Sequence, residues 1–215
     1  FHNINLSLKS GEVLGLSGLL GSGSNEILRA LFGLILDKKG ELIFESKKIE
    51  IKSPIDAVKF GFGYIPSDRK NEGLIQENSV KENSILTIFK RLTNLGVFNS
   101  IKAESITNEY IQKLQVKVAN INHKVMNLSG GNQQKIVIAK WLAKNCKILL
   151  FDEPTRGIDV AAKAQIWKLI DDFSESGGSV IVASNEIPEL ILGCDRILTM
   201  NKGRIVKIFE ENDFN

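Results

Sequence analysis

The chain has little cysteine, little charge of one sign and no long apolar run, and each shortage removes a class of protein. Cys146 and Cys194 are its only thiols in 215 residues, and their separation matches no metal-binding spacing. That excludes a disulfide-stapled secreted miniature and points to a reduced, cytoplasmic setting. No stretch reaches the roughly 20 apolar residues that a bilayer-spanning helix needs. The longest candidates are broken by Arg29 and Asp37, or by Lys140 and Lys144. With 28 basic residues against 25 acidic ones, the formal net charge is +3, so no basic field predicts a nucleic-acid partner. There is no internal repeat and no low-complexity tract. What is present, 43% apolar and 25% charged residues, suits a core-forming domain, alone or with a sizeable subdomain. The chain begins at Phe1 with no basic-then-apolar signal segment, and so reads as a piece of a longer polypeptide.

Residues 1–16 alternate apolar and polar around a turn at Ser10-Gly11, which predicts two short strands. The second runs into Gly18-Leu19-Leu20-Gly21-Ser22-Gly23, followed by Ile27, Leu28, Leu31 and Phe32 at helical spacing and a stop at Gly33. Short strands are expected at 41–45, 48–51 and 63–65, with a short helix after Ser53-Pro54. From about Val80 to Ala143 the pattern is mostly helical, with Ile111, Leu114 and Val118 on one face. A continuous apolar run at 147–152 predicts a strand covered on both faces. A helix at 160–175, a strand at 179–183, a short helix after Pro188 and a hairpin around Asn201-Lys202-Gly203 complete the chain. This order implies an α/β core with a parallel sheet and a helical subdomain, with residues 1–78 and 145–215 in the core and about 79–144 in the subdomain.

Three segments carry chemistry. A strand, then Gly18-x-x-Gly21-x-Gly23, then a helix is the geometry of a phosphate cradle. Its backbone amides crowd toward an anion, and the helix start adds about half a positive charge. By itself it is equally an ordinary strand–helix turn. The run Ile148-Leu149-Leu150-Phe151-Asp152-Glu153 ends a buried strand in two adjacent carboxylates, at the sheet edge where ligands gather in open α/β folds. Asp152 there suits Mg²⁺, and Glu153 suits polarising an attacking water. The plainer reading, surface acids at a strand end, sits poorly with a further acid at Asp159. Third, Leu128-Ser129-Gly130-Gly131-Asn132-Gln133-Gln134-Lys135 opens a helix that Ser129 can cap, another anion-binding start or else a capped helix without a ligand.

Leu128–Lys135 resembles the signature motif of ATP-binding cassette (ABC) ATPases, 148–153 their Walker B strand and 156–159 their D-loop. The resemblance extends over nearly the whole chain and narrows further. Asp68-Arg69-Lys70 with Gly73, the run Ser79-Val80-Lys81-Glu82-Asn83, and Glu153-Pro-Thr-Arg-Gly-Ile-Asp-Val160 resemble importers of the ribose/galactose/xylose type, which carry two cassettes in one polypeptide. Ser184-Asn185-Glu186-Ile187-Pro188-Glu189 and Cys194-Asp195-Arg196 resemble the tail of the second cassette. The resemblance implies a P-loop ABC-ATPase core with a parallel sheet, an N-terminal antiparallel β part and a helical subdomain. It implies ATP and Mg²⁺ as cofactors and transport-coupled ATP hydrolysis at the cytoplasmic face of the membrane. The implied partners are the first cassette of the same polypeptide, separate permease subunits and, indirectly, a periplasmic or lipid-anchored sugar-binding protein. A catalytically inert structural half and the same cassette in a nucleoside importer are the alternatives. Chromosome-type ABC proteins need a long coiled coil before the signature, which is lacking here.

Several positions depart from the family pattern. The Walker A lysine position holds Ser24 and the magnesium hydroxyl position Asn25; the coupling glutamine aligns with Ser67 and the switch histidine with Asn185. Neither His2 nor His123 lies where it could substitute. The adenine-stacking aromatic is expected upstream of Phe1. A unit charge at about 4 Å is worth on the order of 4 kcal/mol at an effective dielectric near 20, before desolvation. Losing lysine therefore predicts binding weaker by about a hundredfold or more. In ABC proteins each ATP lies between one cassette's Walker A and the other's signature, so a half can lose its own chemistry and still serve the opposite site. The nucleotide-contacting residues implied are Gly18, Gly21, Ser22, Gly23, Ser24, Asn25, Ser67, Ser129, Gly130, Gly131, Gln133, Asp159 and Asn185. Glu153 is the implied catalytic residue, with Asp152 and Asn25 toward the metal.

Overall fold

The computed structural model describes residues 3–19, 21–36 and 39–214. The chain divides into two compact units, residues 1–64 with 146–153 and 170–215, and residues 65–145 with 154–169. Along the chain the elements begin with β1 (Val13–Ser17), α1 (Ser24–Leu31), β2 (Leu42–Phe44), β3 (Lys47–Ile49), α2 (Pro54–Lys59) and β4 (Phe62–Ile65). There follow α3 (Val80–Ile85), β5 (Thr93–Asn94), β6 (Val97–Phe98), α4 (Ser100–Lys113) and α5 (Gly130–Leu142). The last stretch holds β7 (Ile148–Asp152), α6 (Val160–Glu175), β8 (Ser179–Ala183), α7 (Ile187–Gly193), β9 (Arg196–Asn201) and β10 (Arg204–Glu210).

In the first unit the main sheet runs β10-β9-β1-β8-β7-β4. β1 lies parallel to both β8 and β9, and β7 parallel to β8, while β10 returns antiparallel to β9 through the Lys202-Gly203 turn. The three central strands are buried along almost their whole length, as their unbroken apolar runs require, and α1 packs over β7 and β8. Register places the site. Ala183 pairs with Leu16 on one side and Asp152 on the other, so β1, β8 and β7 end level with one another. The loop after β1, the Glu153 backbone and the Ser184-Asn185 turn therefore leave the sheet at one edge. β2 and β3 form a separate antiparallel pair.

The second unit is built on α3, α4 and α5. Ile85, Ile88, Leu92, Ala103 and Ala143 form its apolar centre, with Phe98, Ile106 and Tyr110 packed against it. Ser79 opens α3 with a reciprocal capping box to Glu82. From Gln133 to Trp141 every residue of α5 is buried, so the signature helix is enclosed rather than amphipathic.

Three expectations for local structure fail. Among the described residues no strand precedes β1, both of whose edges are taken by β8 and β9. Residues 7–9 are fixed instead by side chains: the Arg196 guanidinium donates to the Ser7 carbonyl, and the Ser179 hydroxyl to that of Lys9. The helical stretch is interrupted by the β5–β6 hairpin, whose turn puts Leu95 and Gly96 at positive φ. A leucine in that conformation gives no warning in a sequence. Finally, α4 stops at Lys113 and Gln115 is left-handed at φ 51°, so Val118 shares no helical face with Ile111 and Leu114. His2 and Leu20 lie outside the described residues, as does the start of the expected first strand.

Candidate functional site

The glycine loop after β1 is shaped by backbone. Gly21 and Gly23 sit at φ 80° and 103°, the left-handed region that side chains avoid, and Gly23 immediately precedes α1. Gly18 admits no side chain, since a Cβ there would lie 2.6 Å from Cβ of Ser22 and 2.7 Å from the Met200 carbonyl. The Ser22 carbonyl accepts from the Gly203 amide at 2.7 Å, so the β9–β10 turn braces the loop. The first amides of α1 are those a helix start leaves without helical acceptors. Exposed Glu26 in that first turn already supplies the negative charge the helix end favours.

Inside this loop the side chains bond to one another. The Ser24 hydroxyl donates to Oδ1 of Asn25 at 3.1 Å and lies 3.3 Å from the Ser22 hydroxyl. Nδ2 of Asn25 donates to Oδ1 of Asp152. The other carboxylate oxygen, Oδ2, accepts from the Tyr64 hydroxyl at 2.7 Å. Burial, and then the Asp152 carboxylate, push the Tyr64 phenol far above its usual range, so it stays a donor. Tyr64 is stacked on Phe32 and fully inside the unit. This arrangement does not fit magnesium triphosphate. Position 24 has no ammonium and position 25 no hydroxyl, the Asn25 oxygen faces a serine hydroxyl, and both Asp152 oxygens are bonded to protein. The expected pair of metal-facing groups, Asp152 and Asn25, is thus turned toward each other. Among the described residues no cluster of three or more His, Cys, Asp or Glu side chains could hold a metal ion. Tyr64 went unremarked in the sequence, where it is one aromatic in a short strand.

Beside Asp152, Glu153 adopts φ 48°, an uncommon conformation for a residue with a side chain. Its amide donates to the Ala183 carbonyl at 2.8 Å, and its carboxylate accepts from the Asn185 amide at 3.1 Å. The Ser184 hydroxyl lies 3.5 Å from the other oxygen. Asn185 thus meets Glu153 through its backbone, which any residue type provides. Ser67 follows Pro66 in the second unit, half-buried.

The second unit carries the signature residues. A cleft of about 150 Å³ is lined by Ser129, Gly131, Asn132 and Asp159 together with Lys117 and Lys135. Ser129 precedes α5, but its hydroxyl makes no capping bond; it accepts from Nδ2 of Asn132 at 2.9 Å. Oδ1 of Asn132 in turn accepts the Lys117 amide at 2.9 Å. The Lys135 ammonium donates to the Gln115 carbonyl at 3.1 Å, and burial followed by Lys117 lowers its pKa. Asp159 caps α6 by accepting from the Ala162 amide at 2.9 Å. Gly130 and Gly131 leave no room for a side chain, since a Cβ on Gly131 would lie 2.7 Å from that of Ala162 and one on Gly130 2.6 Å from Nη2 of Arg69. Gln133 departs from expectation. It is buried, its amide donates to the Val125 and Met126 carbonyls at 3.3 and 3.4 Å, and it braces the turn before the helix rather than facing the cleft. Two glycine amides at a helix start, a hydroxyl and two ammonium groups suit an oxyanion.

A parallel sheet with a glycine loop at its carboxyl edge, and a signature helix in a helical unit, define an ATP-binding cassette. The chain belongs to the ABC transporter family, whose profile matches residues 1–156. It is 43% identical over 206 residues to the ribose import ATP-binding protein RbsA of Caldanaerobacter subterraneus subsp. tengcongensis, covering 95% of this chain and 42% of that protein. It is 40% identical over 213 residues to the xylose import ATP-binding protein XylG of Geobacillus kaustophilus, covering 99% and 42%. The chain thus spans less than half the length of these relatives. A dimeric ATP-binding cassette solved in a post-hydrolysis state with ADP and Pi matches with a TM-score of 0.83 at 26% identity, over 97% of this chain and 89% of that one.

Proposed function

We propose that this chain is the second of two cassettes in the ATP-hydrolysing component of a simple-sugar importer, and that it lends its signature face to an ATP bound by the other cassette. The observation that carries this reading is an asymmetry. The chain's own loop has no lysine, and its Asp152 is bonded to Asn25 and Tyr64. Ser129, Gly131 and Asp159, by contrast, line an open cleft. The names of the relatives, ribose and xylose import ATP-binding proteins, support a pentose-type cargo, and their greater length supports a second cassette.

In this reading the chain binds and positions. The Gly130 and Gly131 amides and the Ser129 hydroxyl hold the terminal phosphate, and the Lys117 and Lys135 ammonium groups offset its charge. Asp159 orients the backbone between the two cassettes. Glu153 retains the place of a water-polarising carboxylate in the chain's own pocket, where the missing lysine limits turnover. Mg²⁺, when bound in the opposite pocket, neutralises charge on the phosphates. The assembly sits at the cytoplasmic face of the membrane against permease subunits, with a sugar-binding protein delivering cargo. The test is Ser129→Arg in the complete polypeptide assembled with its membrane subunits. Loss of most ATPase activity and uptake is expected, and unchanged activity refutes the donation.

A further inference from the structure

The segment Asp68-Arg69-Lys70 with Gly73 has so far been a family resemblance without a task. In the second unit it forms a braced wedge. The Asp68 carboxylate accepts from the Asn71 amide at 3.1 Å and from the Asn71 side chain at 2.7 Å, and its carbonyl accepts from the Glu72 amide at 2.9 Å. These bonds hold the wide turn Arg69–Gly73. Its base is seated on α5. A Cβ on Gly73 would lie 3.1 Å from Val137, and the buried Lys140 ammonium donates to the Gly73 carbonyl at 2.6 Å.

From this base Arg69 reaches the donated surface. Its Nη1 donates to the Arg156 carbonyl at 2.9 Å and its Nη2 to the Gly157 carbonyl at 3.3 Å. A Cβ on Gly130 would lie 2.6 Å from Nη2 and 3.2 Å from the Gly157 carbonyl, so the guanidinium lies directly against the start of the signature helix. We propose that Arg69 is a positioning residue, which ties the 156–159 turn to the start of α5 and so holds Ser129, Gly130, Gly131 and Asp159 as one rigid surface. This inference rests on the donation reading above.

Packing alone does not account for the side chain. Arg69 loses solvation there, and its buried Nε has no partner among the described residues. An apolar residue would fill the space without that penalty. A planar fork bonded to two successive carbonyls does what an apolar residue cannot: it fixes the orientation of a turn that contains left-handed Gly157. It also places a positive charge beside a helix N-terminus, which strengthens the field that an incoming phosphate meets.

The experiment uses the complete polypeptide with its membrane subunits, carrying Arg69→Ala or Arg69→Lys. Without nucleotide, Arg69→Ala is expected to speed amide hydrogen exchange about tenfold in 129–133 and 156–162, with the rest of the chain unaffected. ATPase kcat should fall by about ten- to hundredfold while KM for ATP changes little, because the binding lysine lies on the other cassette. Arg69→Lys, which retains the charge and one bond, should recover part of both effects. Unchanged exchange in those segments, exchange raised evenly over the chain, or an unchanged kcat overturns the proposal. Ser129→Arg separates the two readings. If it leaves ATPase activity intact, donation itself is wrong; if it abolishes activity and Arg69→Ala does not lower kcat, only the positioning role falls.

Discussion

The side-chain amide of Asn25 donates to the carboxylate of Asp152, across 127 positions of sequence. Here an amide faces the carboxylate, and Tyr64 closes the other oxygen. The two side chains are thus tied into an internal hydrogen-bond network with Ser24 and Tyr64, which under the proposed reading adds to the effect of a loop without lysine.

On the proposed reading, supplying an ammonium at position 24 and a hydroxyl at position 25 should raise affinity for MgATP. The double variant Ser24→Lys with Asn25→Thr introduces an ammonium and a hydroxyl and releases one Asp152 oxygen. Titration calorimetry is expected to show MgATP binding tighter than in the parent by about a hundredfold. Affinity no better than the parent's would mean that the loop backbone, not these side chains, limits binding.

Tyr64→Phe removes the hydroxyl that donates to Oδ2 of the buried Asp152 carboxylate. The lost hydrogen bond should cost about 1 to 3 kcal/mol of stability in urea unfolding at neutral pH.

Gly21 and Gly33 have nearly the same φ, 80° and 79°, in different surroundings. A Cβ on Gly21 meets nothing within 4 Å, whereas one on Gly33 would lie 2.6 Å from the Ser53 backbone. Gly21→Ala should cost only the left-handed penalty of about 1 to 2 kcal/mol. Gly33→Ala should cost clearly more, because backbone has to move. Equal losses in parallel urea curves would contradict this account.

Lys140 gives a pH signature. Burial lowers its pKa to about 8, below the usual lysine value of about 10.4 in an unfolded chain. Between those two values the unfolded chain holds a proton that the folded one has released, so stability rises with pH through that window. Relative to Lys140→Met, the parent should gain about 2 kcal/mol between pH 7.5 and pH 10. The measurement is paired chemical unfolding at both pH values, and a constant difference would contradict it.

Much of the fold was legible because its signals are local. The apolar run at 147–152 predicts a strand covered on both faces and forms β7 from Ile148, and the helix at 160–175 and the strand at 179–183 form as expected. The glycine loop, the signature start and the two carboxylates after Phe151 were equally plain. What stayed hidden depends on partners distant in sequence. The first expected strand does not form; residues 7–9 are held instead by Arg196 and Ser179, far along the chain. The left-handed Leu95 conceals a hairpin inside a helical pattern. Gln133, a polar residue in a polar motif, is turned inward by carbonyls that only the folded chain brings to it.

The order of residues by itself determined the family, the parallel core and a glycine loop without lysine, since each is a matter of which side chain follows which. Tertiary structure alone decided what the substitutes do. Asn25, Tyr64 and Asp152 meet only when three separate segments are laid side by side, and Arg69 reaches Arg156 and Gly157 only after its turn is seated on α5. Hydrogen bonds are short and directional, so their partners are chosen by position in space and not by proximity along the chain.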